Sequence, residues 1–426
     1  MKRSAGCEMS HYKVSPQKIS RRKAGWVKGG VVLLSLCSLM LLSGCWDLRY
    51  LNKLAIASAI GIDEDPSGKS KMQLTVQVVL TNNVSSSNKE ASNSGAITTF
   101  TETGDTVFEA IRKMSEKTSR RLFFSHTQML LISEKIARKE IYPYFDMIER
   151  NPDIRSDIPV AVARGVTAKE LLETTTLMES IPIYHMRGET EVSEKAYGVI
   201  YEITVQELIR MNDRGRRQAV APTYRLRGNR ETSNKKSNLD TIPPQSFPEL
   251  DTMAVFRGGK LIGYLQTKES RGLSWTQNKV TSTVVKLACP KSDGHLIIEI
   301  IKANSKTKAT ADPEGKPVIN IDLHLQGSIR EIMCGDLDIL EESTFNQIRK
   351  LTNEAVKDEV SAAINRLQKS LKSDALGWGQ VIYRQQPHIW KRIEYDWEEL
   401  FPNVKSNINC STSILGSGAR NNAAME

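Results

Sequence analysis

Two hydrophobic periods run through the chain. From Leu54 to Asp63 the residues are almost all apolar, which predicts a strand buried on both faces. Pro66, Ser67 and Gly68 mark a turn. Leu74, Val76 and Val78 then alternate with Thr75 and Gln77, so the two segments read as a paired hairpin. Residues 82–95 form a Ser/Asn-rich loop. Phe108, Ile111 and Met114 fall at helical spacing, with Asp105 as the expected cap. Strands are predicted at 127–132 and 158–163. Helices are predicted over 134–139 behind Ser133, over 141–149 past a bend at Pro143, and from Thr167 through Leu172. Strand and helix alternate, which implies helices packed on a sheet.

In the second half, 204–211 reads as helical. Residues 229–248 are polar, include Pro243, Pro244 and Pro248, and read as a linker or exposed loop. Strands 252–256 and 260–265 flank Arg257-Gly258-Gly259 as a hairpin. A short helix follows over 267–275, and strands are expected at 279–287, 295–302 and 318–329. In the last, Ile319, Ile321, Leu323 and Leu325 alternate with Asn320, Asp322, His324 and Gln326. That pattern fits an antiparallel sheet with one solvated face. The strongest helix spans 343–370. Ile348, Leu351, Ala355, Ile364, Leu367 and Leu371 form its apolar stripe, and Lys350, Lys357, Asp358 and Lys369 lie off it. The expected class is α+β (mixed α/β) and multi-domain, with mixed and antiparallel sheets and a long amphipathic helix near the C-terminus. The expected divisions are a signal peptide over 1–44, an N-terminal mixed domain over 45–200, a middle region with loop and hairpin over 201–275, a sheet-plus-helix domain over 276–408, and a polar tail over 409–426.

The N-terminus carries a different pattern. The apolar run 31–42 is shorter than the roughly 20 residues that span a bilayer. Its length suits the core of an export signal. Eight bases and one acid precede Cys45, and they orient such a signal with its start on the cytoplasmic side. Leu42-Ser43-Gly44-Cys45 follows directly and resembles a lipoprotein signal. The resemblance implies a diacylglycerol on the Cys45 sulfur and cleavage before it. An ordinary signal peptide with an incidental cysteine stays open, as does a later start at Met9.

This leader changes how the charge is read. It holds +7 of the formal net charge of +10, so the basic balance reflects export rather than a nucleic-acid surface. Without a second long apolar run, the exported chain is expected to lie on a membrane without crossing it. Of the six cysteines, Cys7 and Cys37 leave with the leader, and Cys289, Cys334 and Cys410 have no metal-ligand spacing. A Cys289–Cys334 disulfide and buried free thiols are both open readings.

Candidate chemistry is sparse. His126, His185, His295, His324 and His388 are scattered, and neither Gly-x-Ser-x-Gly nor His-Glu-x-x-His occurs. Asp374, Gly377 and Gly379 lack a phosphate-loop context. Asp374 reads as a cap, and the glycines as turn residues that tuck Trp378 inward. The run Arg214-Gly215-Arg216-Arg217 reads as a solvated face or as a contact with anionic lipid headgroups. No catalytic residue, metal or cofactor is expected. Cys45, as a lipidation site, is the one residue given a chemical role.

Four separated stretches together resemble the Ger(x)C family, the lipoprotein C-subunits of spore germinant receptors. The first is Gly44-Cys45-Trp46-Asp47 leading into Leu54-Ala55-Ile56 and Gly61-Ile62-Asp63. The second is Ser125-His126 before an apolar strand. The third is Gly263-Tyr264-Leu265 with Glu269-Ser270-Arg271-Gly272. The fourth is Asp374-Ala375-Leu376-Gly377-Trp378-Gly379, followed by Pro387, Trp390, Trp397 and Phe401-Pro402. Gln380 stands where the family often has Glu, and the polar end from Asn409 replaces a basic apolar strand. The resemblance implies a three-domain protein on the outer face of the inner spore membrane, beside a membrane A-subunit and a transporter-like B-subunit. It implies nutrient-triggered germination without catalysis. The competing readings are a solute-binding lipoprotein feeding a transporter and a cell-wall enzyme.

Overall fold

The structure, a computed structural model, describes residues 53–80, 96–211, 215–290, 292–335, 337, 339 and 341–416. The leader, Cys45 and the Ser/Asn-rich loop 82–95 lie outside them. Among the described residues the fold is α+β, with two sheets. No helix of the described residues is long and apolar enough to cross a membrane.

The larger sheet has nine strands. In chain order they are β1 (Leu54–Asp63), β2 (Met72–Val79), β3 (Ile97–Gly104), β4 (Arg121–Phe123), β5 (Met129–Ser133), β6 (Val160–Ala163), β7 (Val220–Gly228), β8 (Ser246–Arg257) and β9 (Lys260–Leu265). Their spatial order is β3-β2-β1-β5-β6-β7-β8-β9, with β4 beside β1. The centre β1-β5-β6-β7 is parallel, and both flanks are antiparallel hairpins. A central parallel strand is covered on both faces, which is why β1 is apolar throughout. Ile60 and Ile62 enter one core, and Ala59 enters a second core beneath the helices that follow β6.

Six helices accompany these strands: α1 (Val107–Met114), α2 (Glu134–Lys139), α3 (Asp146–Arg150), α4 (Ala168–Glu173), α5 (Pro182–Ala196) and α6 (Val205–Met211). The cap of α1 is Thr106, whose Oγ1 accepts from Glu109 N–H at 3.2 Å, and not the expected Asp105. The predicted helix 141–149 does not run through Pro143. A 3₁₀ turn at Tyr142–Tyr144 precedes the short α3, because proline removes a ladder donor. Strand β3, helix α5 and strand β7 had no clear pattern in the sequence.

Two expectations for this part of the chain differ from the fold. Residue 200 is not a sheet boundary, since β6 pairs with β7 at Val162↔Thr223 and β7 to β9 extend the same sheet. Of the two readings of 229–248, the exposed loop holds and the free linker does not. Asn238 is buried within it and donates to Ser246 O at 2.8 Å, while Ser246 N–H returns to Asn238 Oδ1 at 2.8 Å. One asparagine thus holds the loop closed by mimicking a strand neighbour.

The smaller sheet is β10 (Thr283–Ala288), β11 (Gly294–Ala311), β12 (Pro317–Cys334) and β13 (Lys405–Ile414). The first three are antiparallel, and β13 runs parallel to β12. The tail expected from Asn409 therefore begins as a strand and continues to Ile414. Its polarity concealed it: Asn407, Asn409, Ser411 and Ser413 face solvent, and the opposite face holds Ile408, Cys410 and Thr412. Helix α8 (Glu342–Asn365), extended as a π-helix over Arg366–Leu371, lies against β13 and β10. Ile348, Val356 and Val360 share a core with Ile319, Ile321 and Leu323. Each such aliphatic side chain contributes about 1.5–3 kcal/mol on burial.

Cys289 and Cys334 form a disulfide with Cα atoms 5.7 Å apart. Pairing of β11 with both neighbours brings the two residues together. Gly294 lies opposite Cys334 in the register, and Cys289 N–H donates to Gly294 O. Of the two open readings the disulfide holds, and a separation of 45 residues could not by itself decide between them.

Candidate functional site

The described parts of the stretches that carried the family resemblance sit at joints between elements. In β1, a Cβ on Gly61 would lie 3.0 Å from both Ala168 Cβ and Leu172 Cδ1, so α4 packs closely against the bare glycine backbone. Asp63 then caps that helix, accepting from Ala168 N–H at 2.8 Å and Lys169 N–H at 2.9 Å. Burial raises the pKa of Asp63 against these bonds. Ser125 Oγ donates to Asp153 O at 3.1 Å, and His126 meets the Phe123 ring edge-on at 5.6 Å.

The third stretch joins the two sheets. Its second part lies in α7 (Thr267–Thr276), which packs on α8. Arg271 Nε donates to Glu359 Oε2 at 2.9 Å, and a second guanidinium nitrogen reaches Oε1. Trp275 Nε1 donates to the same carboxylate at 2.8 Å. Three donors thus satisfy the buried Glu359 carboxyl oxygens. Glu359 carries no signal in the sequence, because it interrupts an otherwise apolar face. A Cβ on Gly272 would sit 2.0 Å from Glu359 O, so this crossing requires glycine.

The fourth stretch forms a buried knot. Asp374 accepts from Trp378 N–H at 2.9 Å, Gly379 N–H at 2.7 Å and Trp397 Nε1–H at 3.1 Å. It thereby caps α9 (Trp378–Gln385), and Trp378 turns inward as expected. Burial outweighs the three donors and pushes the Asp374 pKa up to about 7. Trp378, Trp397 and Phe401 pack around it with ring centroids 5.6–5.9 Å apart. The aromatic chain continues through Trp390 on α10 (Pro387–Ile393) to Trp397 on α11 (Trp397–Leu400).

Beside this knot lies a basic pocket of about 350 Å³. Its walls are Arg210 and Met211 at the end of α6 (Val205–Met211), Glu207 on the same helix, Arg216 and Arg217 before β7, and Gln380 and Arg384 on α9. Gly379 opposes Arg216 O, where a Cβ would be 2.7 Å away, and Gly377 lies against the Arg217 side chain. The expected solvated face fails for Arg216, and Arg217 is half-buried, while Arg214 lies outside the described residues. Arg216 is buried under Tyr383, and Arg217 donates to Gln277 at 2.7 Å. Among the described residues no group of three His, Cys, Asp or Glu side chains has metal-holding geometry.

Comparison with known proteins accounts for the order of these stretches. Residues 47–226 match the family model described as the spore germination protein N-terminal domain. Residues 251–418 match that described as spore germination B3/GerAC like, C-terminal. Spore germination protein KC of Bacillus subtilis (strain 168) is 28% identical over 397 residues, covering 92% of this chain and 96% of the relative. Spore germination protein B3 of the same organism is 23% identical, with 91% and 96% covered. A crystal structure of the GerBC protein overlays 87% of this chain and 100% of that one, at TM-score 0.49 and 18% identity. The chain belongs to the Ger(x)C family, the C-subunit family of spore germinant receptors.

Proposed function

We propose that this protein is a lipid-anchored, non-catalytic C-subunit of a nutrient germinant receptor. A diacylglycerol on Cys45 holds it to the outer face of the inner spore membrane. There it serves receptor assembly or signalling beside a membrane A-subunit and a transporter-like B-subunit. The observation that carries this reading is the position of the family match, which begins at residue 47, two residues after the cysteine of Leu-Ser-Gly-Cys. The Cys289–Cys334 disulfide supports a location outside the cytoplasm, where such bonds persist. A two-chain lipid gives the firm anchoring that a single chain does not. The solute-binding alternative calls for two doubly wound lobes. Here the second sheet is largely antiparallel and is covered by a single long helix.

A Cys45→Ala chain tests the proposal in spores that lack the native copy. The expected result is loss of the protein from the inner-membrane fraction, with at least a tenfold slower response to nutrient. Retention at the membrane with full germination overturns it. Co-purification of A- and B-subunits with the native chain is expected and tests the partners separately.

A further inference from the structure

We propose that the arginine pocket beside the Asp374 knot binds a small phosphate-type oxyanion. Four arginines, Arg210, Arg216, Arg217 and Arg384, line it against one acid, Glu207. That carboxylate is already engaged as a helix cap, accepting from Thr204 N–H at 2.9 Å and from its hydroxyl at 3.3 Å. None of the four arginines forms an ion pair among the described residues.

Arg216 carries the argument furthest. It is only 7% exposed, and its Nε is buried without a hydrogen-bond partner. Its guanidinium lies 3.7 Å from the centre of the Tyr383 ring, an attraction that offsets only part of the desolvation of a buried cation. Arg217 repeats the pattern, with one nitrogen on Gln277 Oε1 and a buried, unpartnered Nε. Arg210 and Arg384 close the last turns of α6 and α9, where a cation already suits the helix dipole. Arg216 lies on no helix and has no such explanation. Planar guanidinium forks match phosphate oxygens two at a time, so four arginines beside a single, already engaged carboxylate suit that group. Gln380 on the pocket wall leaves the positive charge uncompensated, and a glutamate there would supply the missing anion.

The test uses the complete mature chain in detergent, titrated with inorganic phosphate at constant ionic strength against chloride. Phosphate is expected to bind saturably and to raise the melting temperature. Arg216→Gln is expected to weaken binding at least tenfold. Gln380→Glu is expected to weaken it similarly while raising the melting temperature without phosphate. The second variant keeps the test decisive where the first folds poorly. Flotation of a Cys45→Ser chain with phosphatidylglycerol or phosphatidylcholine vesicles separates the sources. Gln380-dependent binding only to phosphatidylglycerol assigns a lipid headgroup, and phosphate binding without vesicle binding assigns a soluble phosphate compound. Phosphate and vesicle responses that are absent, or that survive both substitutions unchanged, overturn the proposal. Because the phosphate arm uses the detergent-solubilised chain, its outcome is independent of the anchor at Cys45.

Discussion

At the scale of single residues, the motifs are made of groups that nothing else replaces. Gly61 and Gly272 admit a neighbouring helix, and Asp63 and Asp374 cap helices from outside them. Asp374 gives a test with a definite sign. Its folded pKa of about 7 lies above the ordinary 3.8, so the fold favours the protonated form. The stability this contributes is complete below about pH 4 and is lost as pH rises through about 7. Asp374→Asn also sets an amide N–H₂ against an N–H donor, at a cost of about 1–3 kcal/mol. In urea titrations the variant is expected to be less stable than the native chain at pH 5. The gap should narrow by roughly 2.5 kcal/mol toward pH 8, because the unfolded carboxyl is ionised across this range while the native one holds its proton until about pH 7. Asp63 titrates in both chains and cancels from this difference. A gap that widens with pH would show that the three donors win over burial.

At the scale of elements, the joint between α7 and α8 ties the sheets together. The Arg271 side chain is 14% exposed and that of Glu359 9%, so removing one partner strands the other. Arg271→Ala is expected to cost about 3–5 kcal/mol in urea unfolding, against a much smaller loss for Arg271→Met with Glu359→Leu. A single variant as stable as the double would mean that the pair is solvated. The two helices themselves were legible from periodicity. Their joint was not, because a lone glutamate at 359 reads as surface until its donors, 84 and 88 residues away, are placed. Strands β1, β2 and β12 were legible for the same reason as the helices, since each shows a period over many residues. Strand β7 was not. It is buried over Val220 to Tyr224 and exposed beyond, and Pro222 sits within it, so neither a continuous apolar run nor an alternation develops.

At the scale of the whole molecule, the two matched family regions do not correspond to the two sheets. The first ends in β7 at residue 226 and the second starts in β8 at residue 251. Those strands are antiparallel neighbours, paired from Val220↔Val255 to Gly228↔Ser246. Sequence reading could not see this, because the polar loop between them has the composition of a linker. Pairing, rather than loop composition, sets the boundary. Met253, Ala254, Val255 and Phe256 of β8 are at most 1% exposed, and their burial depends on β7 and β9 on either side. A chain broken after Asp240, in an exposed turn, therefore cuts no sheet hydrogen bond yet separates two halves of one sheet. Expressed alone, the fragment up to Asp240 leaves β7 as a bare edge, and the fragment from Thr241 leaves β8 and β9 without a sheet. Each is expected to aggregate or to melt without cooperativity. Expressed together, the two are expected to co-purify as one complex whose thermal unfolding is a single transition. The first fragment melting cooperatively by itself would place a true domain border between β7 and β8. Failure of the pair to assemble would show that chain continuity, and not strand pairing, holds this part of the sheet.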